Sequence, residues 1–406
     1  MYTNLVAAEE TGQALNDAIF RRNRRMEERF GFTLVQTDFT GPGPVRDAAR
    51  RSIQAASDDF DMAMMTPAHA LSLAQENMLE MIDRMPHIDL TRPWWDQDMV
   101  RDLSIGGRVF FTTGDFSFNH YSVTRPILFN KQLHADLGLD CPYEAVHAGR
   151  WTLETMAEMG RAALRDLNGD GIFDRNDQFG YAASPDVIMG GIGARYIVKD
   201  MDDMPVLNIN SPGFISRFHT VFDILSEPWF FDNQRHGISN VEDMFVNNQL
   251  LFWTPLLHRA TALRAMETDF GILPTPKLNE QQEHYISGVG VPHVMSIPVT
   301  SADLERTGII LEALSAESRL TTRHVYFDTM LINQVLNRDE ESAEMFEIIF
   351  ANRVYELGTL YWGSAVTDPI IAAFREDNRD IVSVIERHEA AALAAIEATV
   401  AAFLEN

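Results

Sequence analysis

The stretch "FTLVQTDFTGPGPVRDAARRSIQAASDDFDMAMM" (32–65) carries the pattern that decides the fold class. It begins with a run typical of a strand (32–39), continues with a helical run that has Pro44 near its first turn (43–57), and ends in a short apolar run (60–65). A proline in the first turn suits a helix, because the amide it lacks has no partner there. Strand, helix and strand in this order predict a βαβ unit with parallel strands, and hence an α/β protein.

The same alternation continues along the rest of the chain. Strands are predicted at 108–113, 127–130 and 293–299, and helices at 152–165 and from about Asp380 to Leu404. With 406 residues the chain is long for one core, and no linker interrupts the alternation. These features favour two lobes that share the chain over separate domains joined in series.

The charge balance narrows the range of partners. The sequence has 59 acidic and 33 basic residues, a formal net charge of -26. Such a field repels phosphate backbones and anionic lipid surfaces, which argues against nucleic acid and against membrane binding through charge. No apolar run is long enough to span a bilayer. The start of the chain, "MYTNLVAAEE", lacks the basic and apolar regions of a signal peptide.

An acidic loop, "DLNGDGIFDRND" (166–177), predicts a calcium site. Calcium takes about six to eight oxygen ligands, and an EF-hand-type loop supplies them at fixed positions with a glycine at the sharp turn, here Gly171. The oxygen donors at those positions are the side chains of Asp166, Asn168, Asp170, Asp174 and Asp177 and the carbonyl of Ile172. The closing aspartate resembles the calcium loop of dockerin modules. The alternative is a solvated turn rich in Asp and Asn.

The flanks of this loop predict a structural ion. A helix enters the loop, but "QFGYAAS" after it is typical of a strand. A calcium sensor needs two helices that open against each other, so an ion here braces a loop. Its protein oxygens leave little room for a substrate, which argues against metal catalysis.

No known catalytic motif is present. The sequence contains no G-x-S-x-G, H-E-x-x-H, P-loop or G-x-G-x-x-G. Carboxylate pairs suited to glycoside hydrolysis carry no information among so many acidic residues. The tryptophans are more informative, because their rings stack on the apolar faces of sugars, although core packing is the default role of any one of them. The chain is therefore predicted not to be an enzyme.

The sequence resembles the extracellular solute-binding proteins of bacterial ABC importers, in the family-1, carbohydrate-type group. The stretches that carry the resemblance follow one another between residues 9 and 358: "EETGQALNDAIFRRNRRMEERFG", "PHIDLTRPWWD", "LFNKQLHADLGLDCPYEAVHAGRWTLETM", "DLNGDGIFDRNDQFGY", "DFGILPTPKLNEQQEHY", "RTGIILEALSAES" and "RDEESAEMFEIIFANRVYELG". The resemblance implies a two-lobed fold of the periplasmic-binding-protein type (type II), with the ligand in the cleft between the lobes.

The resemblance also implies how the chain is divided. We expect an N lobe of residues 1–123 with 285–316 and a C lobe of residues 124–284 with 317–406, joined by hinges near 122–125 and 281–285. The protein is expected to act as a monomer at the outer face of the cell membrane or in the periplasm, lipid-anchored in its precursor. Its expected partners are a small carbohydrate and the permease subunits of an importer. The alternatives are a secreted, calcium-braced glycoside hydrolase and a calcium-dependent interaction module.

In such a fold the ligand meets the loops at the carboxyl ends of the strands, where the lobes face each other. On the N lobe these loops nominate Met65, Thr66, Asp115, Phe118 and Tyr121 as ligand-binding residues. On the C lobe, "QLLFWTPLL" resembles a stretch that carries pocket residues in the family, and "LGTLYWGS" is expected to form a loop near the cleft. These two stretches nominate Trp253, Thr254, Tyr361 and Trp362, with Trp253 and Trp362 as stacking platforms and Asp115 as an acceptor for hydroxyl groups.

Overall fold

The computed structural model describes residues 5–233, 235–236, 238, 241–260, 263, 266–328 and 341–405. The α-helices are α1 Ala14–Phe30, α2 Pro42–Gln54, α3 Pro67–Gln75, α4 Gln97–Leu103, α5 Asn119–Ser122, α6 Lys131–Asp136, α7 Pro142–His147, α8 Leu153–Ala163, α9 Pro185–Gly191, α10 Pro212–Leu225, α11 Glu242–Val246, α12 Leu257–Ala260, α13 Leu304–Leu320, α14 Thr322–Tyr326, α15 Glu341–Ala351, α16 Leu357–Arg375 and α17 Ile381–Glu405. The strands are β1 Ala63–Met65, β2 Phe111–Thr112, β3 Ile127–Asn130, β4 Phe179–Ala182, β5 Ile197–Lys199, β6 Pro205–Leu207, β7 Phe230–Phe231, β8 Leu250–Trp253, β9 Phe270–Leu273, β10 Ser287–Gly288, β11 Val294–Ser296 and β12 Arg353–Val354.

The opening strand of the predicted βαβ unit does not form. Residues 32–39 have no regular secondary structure, whereas α2 and β1 form as predicted. Val35 is 81% exposed and Phe39 44%, so these apolar side chains are not covered by a sheet. The side chain of Gln36 instead accepts hydrogen bonds from the amides of Leu5 and Val6. A strand pattern without a neighbouring strand leaves its backbone groups unpaired, so the segment stays irregular.

The N lobe is organised by a three-stranded sheet in the order β1-β11-β2. The central strand, β11, runs antiparallel to both neighbours, with Met65 opposite Val294 and Phe111 opposite Ser296. β1 and β2 therefore run in the same direction, but the later strand lies between them. The opening stretch predicts a parallel neighbour for β1. In the structure its neighbour is instead the antiparallel strand β11, which comes more than 180 residues later in the chain.

The C lobe is organised by a five-stranded sheet in the order β7-β4-β8-β3-β9. β7, β4 and β8 are parallel, and β3 is antiparallel to both β8 and β9. Helix α8 approaches β4 very closely, because two glycines face each other. A Cβ atom added to Gly180 would lie 2.3 Å from the Cα of Gly160. The side chain of Thr152 caps α8 by accepting from the Thr155 amide at 3.2 Å.

Two features of the C-terminal part do not follow the predicted division of the chain into an N lobe and a C lobe. The boundary expected after residue 316 falls inside α13, which continues to Leu320, and α14 after it packs on α1. Helices α16 and α17 form an antiparallel pair that contacts α3 of the N lobe and α10 of the C lobe. The C-terminal helices therefore join both lobes.

Candidate functional site

Three chain segments lie side by side where the lobes join, and they form the hinge of the molecule. Thr124 pairs with Val289, and the Gly290 amide donates to the carbonyl of Val123 at 2.8 Å. On the other side, β10 pairs in parallel with β12, and the Val289 amide donates to the carbonyl of Val354 at 3.0 Å. The first hinge segment lies where the sequence predicted it. The second lies at 287–290, a few residues beyond the predicted 281–285, and the third, at β12, was not predicted.

A buried ionic cluster stands beside this hinge. Asp96, the N-cap of α4, accepts hydrogen bonds at Oδ2 from Arg353 Nη2 at 2.8 Å and from the Tyr355 hydroxyl at 2.6 Å. His120 of α5 lies on its other side, with Nε2 3.6 Å from the same oxygen. All four side chains are almost fully buried. Since Arg353 and Tyr355 belong to the third hinge segment, the cluster fastens that segment to the N lobe.

The groups in this cluster shift one another's pKa values. Burial opposes ionisation of Asp96, but the charges of Arg353 and His120 and the hydrogen bond from Tyr355 outweigh it and lower the pKa of Asp96 to about 2. Burial lowers the pKa of His120 to about 3, although the neighbouring Asp96 acts in the opposite direction. The cluster therefore holds a carboxylate, a guanidinium and a neutral imidazole at neutral pH.

Several buried polar atoms around the cluster have no hydrogen-bond partner in the described part of the chain. They are Thr113 Oγ1, Ser117 Oγ, Asn119 Nδ2, Ser287 Oγ and Arg353 Nε. Ser287 lies opposite Arg353 in the β10–β12 pairing, and the Thr113 carbonyl accepts from the Asp96 amide, so these atoms share one neighbourhood. Unpaired buried polar groups are costly and are normally satisfied by ordered water or by a ligand. No sequence motif predicted this group of residues, because its members lie far apart in the chain, between residues 113 and 353.

The predicted N-lobe residues fall into two places. Met65 and Thr66 end β1 and lead into α3; Met65 is buried, whereas Thr66 is partly exposed and its hydroxyl lies 3.0 Å from His69 Nδ1. Asp115, Phe118 and Tyr121 lie together elsewhere, against α13 and α14. Phe118 stacks on Tyr326 with 4.7 Å between ring centroids.

The carboxylate of Asp115 already has hydrogen-bond partners within the protein. Its carboxylate accepts hydrogen bonds from the Tyr121 hydroxyl and from Arg319 Nη1, both at 3.0 Å, and Arg323 Nε lies 3.4 Å away. Only 3% of its side chain is exposed. Burial raises the pKa of Asp115 even though the arginines oppose this shift. In this arrangement Asp115 organises the N lobe and has little capacity left for a ligand hydroxyl.

On the C lobe the two predicted residues at the end of β8, Trp253 and Thr254, lie in different environments. The Trp253 ring is buried and lies 5.5 Å from the ring of Phe245, inside the hydrophobic core on one side of the sheet. Thr254, the next residue, is partly exposed, and its hydroxyl lies 2.8 Å from the Tyr181 hydroxyl. Thr66 and Thr254 are thus the predicted residues that combine a polar side chain, partial exposure and a place at a strand end.

The prediction of a loop at "LGTLYWGS" is wrong, because this stretch opens α16. The helix is kinked at Trp362, whose φ and ψ of -126° and 31° are not helical. Tyr361 donates its hydroxyl proton to the Leu103 carbonyl at 2.6 Å, and Trp362 Nε1 donates to Thr399 Oγ1 at 2.9 Å. Both rings are buried and join α16 to the N lobe and to α17, so they serve packing in this structure.

The acidic loop is held by its own backbone amides. The carboxylate of Asp166 accepts from the amides of Gly169 and Gly171, and the buried carboxylate of Asp177 accepts from those of Leu167 and Asp174. Gly171 has a φ of 77°, which glycine adopts without strain. Among the described residues no three acidic, histidine or cysteine side chains converge as a metal-binding group.

Comparison with solved structures confirms the fold of two α/β lobes joined by adjacent hinge segments. The chain superposes on an ABC substrate-binding protein from Listeria monocytogenes in complex with cycloalternan with a TM-score of 0.63, at 10% identity, covering 95% of this chain and 97% of that one. It superposes on the maltose/maltodextrin-binding domain MalE from Bdellovibrio bacteriovorus, bound to maltotriose, with a TM-score of 0.56, at 14% identity, covering 97% and 96%.

A further similar structure is UgpB from Mycobacterium tuberculosis in complex with glycerophosphocholine, with a TM-score of 0.60, 13% identity and coverage of 92% and 94%. No model of a known protein family matches the sequence, and no curated protein matches it. At these identities the comparisons establish the fold. In the described part of the chain no helix is long and apolar enough to cross a membrane.

Proposed function

We propose that this protein is the extracellular receptor of an ABC importer, and that it binds a carbohydrate between its lobes and delivers it to the permease subunits when the lobes close. The observation that carries this proposal is the three-segment hinge between two α/β lobes, at Thr124, β10 and β12. Adjacent hinge segments permit rotation of one lobe against the other. The similar structures solved with cycloalternan and maltotriose support a carbohydrate as ligand.

The charge of the protein favours a neutral ligand. A net charge of -26 disfavours the approach of an anion, whereas a neutral oligosaccharide is unaffected. We propose that Thr66 and Thr254 contact the ligand, because they lie at strand ends and are partly exposed. The buried hydroxyl and amide groups near Asp96 and Arg353 supply further hydrogen-bonding capacity at the hinge, either directly or through water.

The test is a thermal-shift screen followed by titration calorimetry. The panel contains linear malto-oligosaccharides, cyclic glucans and glycerophosphocholine, which separates carbohydrate from phosphodiester recognition. A carbohydrate at a hundredfold excess over its Kd stabilises the native state by about 2.7 kcal/mol. Binding without product is expected. Steady release of cleaved sugar would show a glycoside hydrolase instead, and recognition of the phosphodiester alone would overturn the carbohydrate assignment.

Paired variants then test the contacts. Thr66→Val and Thr254→Val remove a hydroxyl and conserve volume, and each is expected to weaken binding about fivefold to tenfold, the value of about one hydrogen bond. Thr11→Val, at an exposed position before α1, is the matched control. Unchanged affinity in both strand-end variants would remove these residues from the site.

We also propose that Asp166–Asp177 binds a structural calcium ion, on the strength of its donor set: the carboxylates of Asp166, Asp170, Asp174 and Asp177, the amide oxygen of Asn168 and the carbonyl of Ile172 are hard oxygen ligands. Calcium is expected to raise the melting temperature, and EDTA to lower it. Asp166→Ala should abolish that response and leave ligand affinity unchanged. A melting temperature that is identical in calcium and in EDTA would contradict the proposal.

A further inference from the structure

Two arginines converge on one buried carboxylate of the N lobe. Arg319, near the end of α13, donates from Nη1 to Asp115 Oδ2 at 3.0 Å. Arg323, in α14, places Nε 3.4 Å from Asp115 Oδ1. One guanidinium is enough to neutralise one carboxylate, so these three side chains together carry a positive charge. The protein as a whole has a net charge of -26, so this local excess of positive charge is unusual in it.

Both guanidinium groups keep hydrogen-bonding capacity. A guanidinium has five N–H donors. Among the described residues, Arg319 bonds through Nη1 and Arg323 through Nε, so Nη2 of Arg319 and both Nη atoms of Arg323 have no protein partner. The two side chains are 35% and 28% exposed, so a ligand can reach them. The arginines therefore offer donors that the fold does not use.

Aromatic rings fix the orientation of Arg323. Its guanidinium lies 4.6 Å from the ring centroid of Phe327 and 5.7 Å from that of Tyr121. These two rings pack edge to face, with 5.0 Å between their centroids. The Tyr121 hydroxyl donates to Asp115 at 3.0 Å, which ties the rings to the same carboxylate. A guanidinium held in this way loses less freedom on binding a ligand than a mobile surface arginine does.

These side chains lie at the edge of the N-lobe sheet that borders the hinge. β1 and β2 run in the same direction on either side of β11, so their carboxyl ends share one edge. Thr66 follows β1 at this edge, and Asp115 comes shortly after β2. Tyr121 directly precedes the first hinge segment, and its ring centroid lies 4.9 Å from the guanidinium of Arg353 in the third. The two arginines therefore lie on the same edge as Thr66, which is proposed to contact the ligand.

From this arrangement we infer that Arg319 and Arg323 bind the carbohydrate on the N lobe, by donating hydrogen bonds from their unused Nη groups to its hydroxyl oxygens. The inference rests on the proposed function and names specificity-determining residues of that site. The field of the whole protein opposes an anion, so the acceptors are neutral hydroxyl groups. Asp115 positions the two guanidinium groups and does not touch the carbohydrate. The alternative is that both arginines only neutralise Asp115 and join α13 and α14 to it.

The first test is titration calorimetry with maltotriose and a cyclic glucan. It compares the wild type with Arg319→Met, Arg323→Met and Arg323→Lys. Methionine keeps an apolar stem and removes the donors, whereas lysine keeps the charge beside Asp115 but loses the planar fork of donors. Arg29→Met is the matched control, because this exposed arginine at the end of α1 also stacks on an aromatic ring, that of Phe30, at 5.3 Å.

Each methionine variant is expected to weaken binding about tenfold or more, the effect of losing one hydrogen bond to a charged group. Arg323→Lys should not restore the affinity, and Arg29→Met should bind as the wild type does. Wild-type affinity in both methionine variants would overturn the inference. Full recovery in Arg323→Lys would also overturn it, because only the charge beside Asp115 would then matter. If one methionine variant does not fold, the other decides.

The second test is chemical modification of the arginines. Phenylglyoxal reacts with accessible guanidinium groups, and peptide mass spectrometry reports each arginine separately. At a tenfold excess of a bound sugar over its Kd, modification of Arg319 and Arg323 should slow about tenfold, whereas that of Arg29 should not change. Equal rates with and without bound sugar would overturn the inference and leave the proposed function in place. If no carbohydrate of the panel binds the wild type, the proposed function fails, and the inference fails with it.

Discussion

The buried pair of Asp96 and Arg353 offers the sharpest test of how the hinge is held. Asp96 accepts from Arg353, Tyr355 and, through Oδ1, the amide of Met99, with which it caps α4. Removing one member of a buried pair leaves an uncompensated charge and costs about 3–5 kcal/mol. Replacing the capping side chain costs about 1 kcal/mol more. Asp96→Ala is therefore expected to lower the free energy of unfolding by about 4–6 kcal/mol.

Three further variants separate these contributions. Asp96→Ser retains a capping oxygen but removes the charge, so it should recover about 1 kcal/mol relative to Asp96→Ala. Arg353→Met removes the cation and should cost about 3–5 kcal/mol by itself. In the double variant Asp96→Ala with Arg353→Met neither charge is left unpaired. Its cost should be smaller than the sum of the single variants by about 3 kcal/mol, the coupling energy of the pair.

The assay is equilibrium unfolding in guanidinium chloride, followed by far-UV circular dichroism and by tryptophan fluorescence. Two probes are needed because a protein with two lobes can unfold in more than one step. Comparable slopes of free energy against denaturant show that the same surface is exposed in each variant. Single variants that each cost less than about 1 kcal/mol, or a double variant whose cost equals their sum, would refute the reasoning.

Two more predictions follow from the same structure. His120 faces Asp96, Arg353 and Arg323 and has a pKa of about 3, so between that value and about pH 6.5 the unfolded chain binds a proton that the native state does not. Stability should fall as the pH is lowered through this range, by about 2 kcal/mol at pH 5 relative to pH 7. The fall in stability should be smaller by about 2 kcal/mol in His120→Asn and unchanged in the exposed control His284→Asn; an identical profile in both variants would contradict it. Gly180→Ala should destabilise the C lobe by about 1–3 kcal/mol or more, because its Cβ would lie 2.3 Å from the Cα of Gly160. Gly190→Ala in α9, where a Cβ meets nothing within 4 Å, should be neutral or stabilising by about 0.5–1 kcal/mol, and equal effects of the two substitutions in thermal melts would show that the close packing is misplaced.

Elements with a complete local signal were predictable from the sequence. The run "ILFN" forms β3 with the expected bounds, and the predicted C-terminal helix forms as α17. Gly31 ends α1 with a φ of 69°, as a glycine after an amphipathic helix suggests. In each case the residues that determine the structure are neighbours in the chain. The amphipathic pattern, the cap and the stop signal agree, and tertiary contacts do not override them.

Elements that depend on distant partners were not predictable. Residues 32–39 have the composition of a strand, but a strand forms only where another edge is available, and this is decided by the rest of the fold. Likewise, the sequence around Tyr361 and Trp362 is compatible both with a loop at the cleft and with a packed helix. The carbonyl of Leu103 and the hydroxyl of Thr399, which settle the question, lie far away in the sequence.

The position of the hinge cluster decides which measurement its substitutions should change. Asp96 and His120 belong to the N lobe and Arg353 to a hinge segment, so their contacts need not break when the lobes separate. Substitutions in the cluster should therefore alter unfolding with little effect on closure.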